Sequence, residues 1–417
     1  MDKLIYWLWL SLACSPSAPT FAKLIKDFDD AEAIYKAEGR EISSVVGYRC
    51  SDRSALENKS LDKACEIFEF CKKHQVGLLC YNDVAYPQSL REINTPPVLL
   101  YYRGTLPDFN NICSVSTVGT RSLTDYGRKN AFNISYDLAC AGVLIVSGMA
   151  MGIDAVCHVG ALSAGGKTVA VIGSGIDVCY PSQHLHLARA IVKNGCVMTE
   201  FAPGTQPSRY NFPKRNRIIS GLSCATVVFE GEEKSGALIT ARYALEQKRS
   251  LFALPGNVGS KKSELPNMLI KDKAKACTKA EDIISNLDKK YCAMVNPFLL
   301  KDKPEFDMMA KLAEYQIVAN CPNDNIFQIP FGRKTPDVTV VDKTDDVPVK
   351  SFKEPPENFD KDALAIYKMI PAGAPCSIES LVTSDANLRD VMKRLLKLEM
   401  GGFVDLLPGE KVSRKLK

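Results

Sequence analysis

Phe212-Pro213-Lys214-Arg215-Asn216-Arg217 sets three cations within four positions, behind a proline and ahead of the apolar pair Ile218-Ile219. Proline fixes its own φ and biases Phe212 toward extended backbone, so the spacing predicts a helix opening near Lys214. Cations in a first helical turn work against the helix macrodipole. A bound anion resolves the conflict, because free backbone N–H groups, dipole and side chains then all address one phosphate. A solvated basic turn is the bland alternative.

Four other stretches carry related chemistry: Gly119-Thr120-Arg121-Ser122, Ser147-Gly148-Met149-Ala150-Met151-Gly152-Ile153-Asp154, Gly173-Ser174-Gly175-Ile176-Asp177, and Glu230 to Thr240 with Lys234-Ser235-Gly236 inside it. Each sets glycine or hydroxyl residues beside charge, and glycine lets backbone N–H groups come close to an anion.

Competing chemistries fit less well. The 147–154 loop lacks the acidic residue that a dinucleotide ribose wants at the end of the next strand, where Gly173 and Ser174 follow Ile172. A Walker lysine loop is absent, so no nucleotide cofactor is expected. His184-x-His186 has no carboxylate or thiol at ligand spacing and reads as surface helix, so no metal is expected. Cys157 and His158 are neighbours that a helix points apart, which rules them out as nucleophile and base. Asp154 reads as a helix cap more readily than as a general base. No catalytic constellation emerges.

The elements that must hold these loops are legible in the patterning. Runs of strand length alternate with helical segments over Ile112–Val118, Tyr126–Ala141, Val143–Val146, Asp154–Ala164, Thr168–Ile172, Gln183–Lys193, Cys196–Phe201, Ala225–Phe229, Ala237–Gln247 and Ser250–Leu254. That alternation predicts an α/β fold, a doubly wound parallel sheet covered on both faces, with Val98–Tyr102 as one more strand. Every charged loop then follows a strand or opens a helix at the carboxyl rim, where open sheets bind ligands.

Residues 1–75 read as a small helical domain, with Thr20 capping one helix. The apolar run Leu4–Cys14 reads as a buried first helix, not an export signal or membrane span. Residues 80–287 form the sheet domain, 288–360 a poorly defined linker or insertion containing Glu354-Pro355-Pro356-Glu357, and 361–417 three helices with a terminal hairpin, a winged helix. At 417 residues, 46% hydrophobic and 24% charged, the chain suits a globular protein of two or three domains. A net charge of +5 confines any nucleic-acid surface to a local patch. Fifteen cysteines without a C-x-x-C, set among apolar or small residues, indicate a reducing, cytoplasmic compartment.

In this order the loops resemble the DprA (Smf) DNA-processing family. The resemblance rests on Val118-Gly119-Thr120-Arg121, Ser147 to Asp154, Gly173 to Pro181, Phe212 to Ser223, Ser235-Gly236-Ala237-Leu238-Ile239-Thr240-Ala241 and Leu254-Pro255-Gly256. It implies an extended Rossmann-like domain that binds single-stranded DNA without sequence preference, protects it and delivers it to RecA in natural transformation. It also implies a homodimer and no cofactor. Position by position, the implied nucleic-acid-binding residues are Gly119, Thr120, Arg121, Ser147, Gly148, Gly152, Lys214, Arg215, Asn216, Arg217, Lys234, Ser235 and Gly236. Met151 stands where the family usually has arginine. Cys14–Pro19 lacks the glycines of a helix-hairpin-helix turn, and Ser260-Lys261-Lys262-Ser263 adds lysines to a loop that carries glycine in the family.

Two other readings stand beside this one. Related sheets act as nucleoside monophosphate phosphoribohydrolases, but residues 234–241 contain no carboxylate to move the proton. A winged-helix transcription factor would use Leu388 to Met400, with Arg389, Lys393, Arg394 and Lys397 tracking a duplex.

Overall fold

The computed structural model describes residues 2–300, 307–315, 327–328, 355–356, 360–370, 376–381, 388–401, 403–407 and 411–414. These fall into two units, Met1–Arg333 and Lys334–Lys417.

The first unit opens with α1 (Lys3–Ala13), α2 (Thr20–Asp27), α3 (Ala31–Lys36), α4 (Gly39–Val46), α5 (Arg53–Glu57) and α6 (Asp62–Lys73). Asp2 caps α1 by accepting the Leu4 amide at 3.1 Å, and Trp7, Leu8, Trp9 and Leu10 are buried, so the apolar run is a core helix. Thr20 is not the expected cap. It lies inside α2 and donates its hydroxyl to Asp52 at 2.6 Å. Asp52, itself buried, also accepts from Ser15 at 2.6 Å and so closes the Cys14–Pro19 turn with a carboxylate. These helices share one continuous apolar cluster with a face of the sheet.

The strands are β1 (Gly77–Cys80), β2 (Leu99–Gly104), β3 (Ser114–Val118), β4 (Leu144–Ser147), β5 (Thr168–Val171), β6 (Val178–Cys179), β7 (Gly195–Thr199), β8 (Ala225–Val228), β9 (Ser250–Ala253) and β10 (Lys275–Ala276). Nine of them form the sheet β1-β2-β7-β5-β4-β3-β8-β9-β10. From β7 to β10 all neighbours pair parallel, while β2 runs antiparallel to both β7 and β1. β6 stands apart and pairs with Phe327–Gln328.

Between the strands come α7 (Gln88–Arg91), α8 (Asp125–Cys140), α9 (Ile153–Ser163), α10 (Leu185–Asn194), α11 (Asn211–Gly221) and α12 (Gly236–Glu246). Successive strand side chains point to opposite faces. Ile145, Ala170 and Val197 accordingly pack with Phe132 of α8, Val156 of α9 and Ile191 of α10. Val146, Val169 and Met198 pack with Ile218 of α11 and Ala241 of α12. The sheet is doubly wound, as the alternation predicts.

From β3 the chain works outward through β4, β5 and β7, then returns to the other side of β3 for β8 to β10. The two halves therefore part between β3 and β8, the switch point of an open α/β sheet. Among the described residues no helix is long and apolar enough to cross a membrane, and the cysteines are free thiols, mostly buried.

The expected linker 288–360 lies largely outside the described residues. Its described parts include the helix Met308–Glu314, whose Leu312 is buried in the core of the first unit.

In the second unit, helices Lys361–Met369 and Leu388–Met400 pack with strands Cys376–Ser377, Val404–Leu407 and Lys411–Arg414 through Ile366, Val391, Leu395, Val404 and Val412. The strands pair antiparallel. Where the second of the three expected helices would lie stands a 3-10 turn, Ile378–Leu381. The turn of the expected terminal hairpin, residues 408–410, lies outside the described residues. On the second helix, Arg394 is ion-paired to Asp362 at 3.1 Å and Lys397 to Asp360 at 2.6 Å.

Candidate nucleic-acid interface

The strands β3, β4, β5 and β8 end toward one rim, and the loops that follow them surround an open cleft of about 650 Å³. Its walls include Gly119, Thr120 and Arg121 after β3, Arg215 and Asn216 on α11, and Ser235 and Gly236 at the start of α12. Seven of the anticipated residues thus meet around one volume.

The loop after β3 is tied down on two sides. The Thr120 amide donates to the Glu230 carbonyl at 2.7 Å, and the Ile153 amide donates to the Thr120 carbonyl at 3.1 Å. The Glu230 carboxylate is buried and accepts both the Thr124 amide at 2.9 Å and the Thr124 hydroxyl at 2.5 Å. Arg121 projects from this fixed loop, exposed, with its guanidinium 5.2 Å from the centre of the Phe212 ring. Phe212 in turn lies 5.5 Å from Tyr180, with 30° between the rings. A cation and two aromatic faces are therefore presented together.

The loop after β4 adopts left-handed backbone at Met149, φ 54°, and at Gly152, φ 81°. A Cβ on Gly152 would strike the Thr120 and Arg121 carbonyls, so this position admits only glycine. A Cβ on Gly148 would come within 2.5 Å of the Arg215 guanidinium, whose place it would take. Gly148 and Met151 line a small adjoining pocket with Arg121, Tyr180, Phe212 and Arg215. Ser147 and Gly152 are buried, and the Ser147 hydroxyl donates to the Thr117 carbonyl at 2.6 Å. They shape the loop and do not face the cleft.

The basic run is sorted by helix geometry. α11 begins at Asn211, three residues before the expected Lys214, so Phe212 is helical and Pro213 occupies the first turn, where no N–H partner is lost. Arg215 turns inward and is buried, donating from Nη1 to the Gly148 carbonyl at 2.8 Å and to the Val171 carbonyl. Arg217 corrects the sequence-based expectation: it is buried away from the cleft, paired with Glu200 at 2.6 Å. Lys214 is half-buried, next to Arg215 on the helix, and makes no hydrogen bond or ion pair among the described residues; Lys234 is exposed in the loop before α12. Neither lines the cleft.

Ser235 caps α12 by position only: its hydroxyl has no hydrogen-bond partner among the described residues, and Gly236 beside it is exposed and open. Ser235, Gly236 and Ala237 at this helix start line the cleft together with Arg121, and a helix N-terminus beside a cation is an arrangement that accepts a phosphate. Asp154 is not the cap of α9 but its second residue. It is buried, and burial pushes its carboxyl above the usual range while Arg215 opposes the shift. Arg215 itself is lowered by burial to about 10, with Asp154 acting the other way, so it stays cationic at neutral pH.

Sequence reasoning missed Arg209, which is exposed on the cleft and lies 4.9 Å from the Tyr210 ring. The signal available was an arginine next to an aromatic residue just before the basic run. His184 is not a surface residue either: it is buried, with Nδ1 bonded to the Met149 carbonyl at 2.9 Å. Among the described residues no group of three or more His, Cys, Asp or Glu is placed to hold a metal.

The family described as DNA recombination-mediator protein A matches residues 77–288. Protein Smf of Synechocystis is 32% identical over 419 residues, covering 98% of each chain. The DNA processing protein DprA of Streptococcus pneumoniae is 40% identical over 228 residues, 55% of this chain and 79% of that protein. An X-ray structure of DprA from the same species covers 69% of this chain and 99% of its own, with TM-score 0.59 and 32% identity.

Proposed function

The chain belongs to the DNA recombination-mediator protein A family, which includes DprA and Smf, and on that premise we propose that its cleft captures single-stranded DNA during recombination. One observation carries the reading: Arg121, on a loop pinned from both sides, shares the cleft with Ser235 and Gly236 at the N-terminus of α12. Fixed donors and cations grip phosphate whatever the base, and the Phe212 and Tyr180 rings offer stacking surface to unpaired bases.

Arg121, Thr120, Asn216, Ser235 and Gly236 are the proposed contacts, with Gly119 supplying backbone. Lys214, Lys234 and Arg209 extend the positive rim along the strand. The protein works as a dimer in the cytoplasm, shields the strand and passes it to RecA, without covalent chemistry and without a cofactor. Residues 361–417 act as a winged helix that contacts protein in preference to duplex, because Arg394 and Lys397 are already neutralised by Asp362 and Asp360.

The test is binding of a short thymidine oligomer by wild type and by Arg121→Ala/Lys214→Ala protein. Tight, salt-sensitive binding that the double substitution weakens supports the cleft. Equal affinity with folding intact removes it.

A further inference from the structure

Arg215 contributes to the cleft wall but is only 5% exposed, its guanidinium turned inward to backbone carbonyls. One guanidinium nitrogen serves the carbonyls of Gly148 and Val171, which mark the ends of the neighbouring strands β4 and β5. Nε donates to Asn216 Oδ1 at 3.1 Å, and Asn216 faces the cleft. The buried Asp154 supplies the opposing charge from the first turn of α9. A single side chain on α11 therefore links two strand ends and two helix starts.

The loop it holds needs restraint. Met149 sits at a left-handed φ of 54°, a conformation that non-glycine residues keep only when their surroundings impose it. Arg215 holds the preceding carbonyl, and His184 holds the carbonyl of Met149 itself.

We propose that Arg215 is a positioning residue for strand capture: it braces the 148–152 loop and orients Asn216 without touching phosphate. This rests on the function proposed above. A planar guanidinium can reach two carbonyls at once, whereas an ammonium is a single point charge. A phosphate contact also releases counterions from the nucleic acid, and a carbonyl brace releases none.

The experiment uses the full chain as wild type, Arg215→Lys, Arg215→Met and Arg121→Ala. Thymidine-oligomer affinity is measured across a salt series, and amide hydrogen exchange is measured without DNA. Both Arg215 variants are expected to lose about tenfold in affinity, the scale of one lost buried hydrogen bond, with the salt slope of wild type. Arg121→Ala is expected to lower that slope by about 0.7, one phosphate contact on a single strand. Amides of residues 148–152 should exchange faster in both Arg215 variants and as in wild type in Arg121→Ala.

The proposal is overturned if Arg215→Met loses slope like Arg121→Ala while Arg215→Lys restores wild-type affinity, or if loop exchange is unchanged in Arg215→Lys. Failure of wild type to bind the oligomer defeats the reading of the cleft. The exchange data still decide the brace in that case.

Discussion

Arg217 and Glu200 face each other at 2.6 Å with side chains 2% and 6% exposed, a closed ion pair behind the sheet rim. Among the described residues, Arg217 Nε and Nη1 and Glu200 Oε1 have no hydrogen-bond partner. Burial pushes the Glu200 carboxyl up, and Arg217 pulls it back. Removing one member strands the other, so Arg217→Ala should cost about 3–5 kcal/mol, whereas Arg217→Met with Glu200→Leu should be close to neutral. Urea unfolding of the three proteins checks this. The salt slope of oligomer binding should be the same in the double variant as in wild type, and a reduced slope would place Arg217 on the DNA after all.

Gly148 gives a test of the same region from the other side. Gly148→Ala drives a methyl group against the Arg215 guanidinium, which must shift. Overpacking of this kind costs about 1–3 kcal/mol. Thermal melting should show that loss, and oligomer affinity should fall with it. A variant that melts and binds like wild type would show that the guanidinium can leave its carbonyls freely.

Glu230→Gln should loosen the start of α8. The carboxylate accepts two hydrogen bonds from Thr124, and the amide that replaces it must turn a donor toward one of them. A loss of about 1–3 kcal/mol is expected, together with faster exchange of the amides of residues 120–124. Unchanged exchange there would mean that the Arg121 loop is fixed by the backbone bond to Glu230 alone.

Acid lability should trace to His158. Thr168 donates its hydroxyl to the Ile145 carbonyl, so His158 Nδ1 donates to Thr168, and Nε2 is buried with no hydrogen-bond partner among the described residues. Burial, with smaller contributions from His184 and Arg215, lowers the imidazole from its ordinary 6.5 to about 3. The neutral ring is favoured on folding, so its stability is complete above about pH 6.5 and is lost as pH falls toward 3, at up to about 1.4 kcal/mol per unit. Melting temperature against pH should flatten over that window in His158→Gln. His184, also lowered by burial, leaves a residual slope. An identical profile in wild type and variant would assign the lability elsewhere.

The parallel core was legible because its strands carry short apolar runs, such as Val143–Val146 and Val169–Ile172, that periodicity can separate from helices. β1 was not: four residues, Gly77–Cys80, half of them only partly buried at an edge, carry too little pattern. The glycine loops located the rim for the same reason that they form it, since only glycine tolerates those close approaches. What the linear order hides is direction. Neighbours on a helix point about 100° apart, so Arg215 and Arg217 read as one cationic run although each ends on a different buried partner. Glu200, the partner of Arg217, sits on another segment, and only packing brings it there.

The parting between β3 and β8 means that the cleft has no covalent floor of its own: Thr120 and Ser235 reach it from chain segments more than a hundred residues apart. A polynucleotide laid across both would act as a suture, joining halves that the chain itself connects only by a long detour. Occupancy would then show as mechanical coherence of the entire sheet, with heat resistance climbing in step with the logarithm of free oligomer concentration.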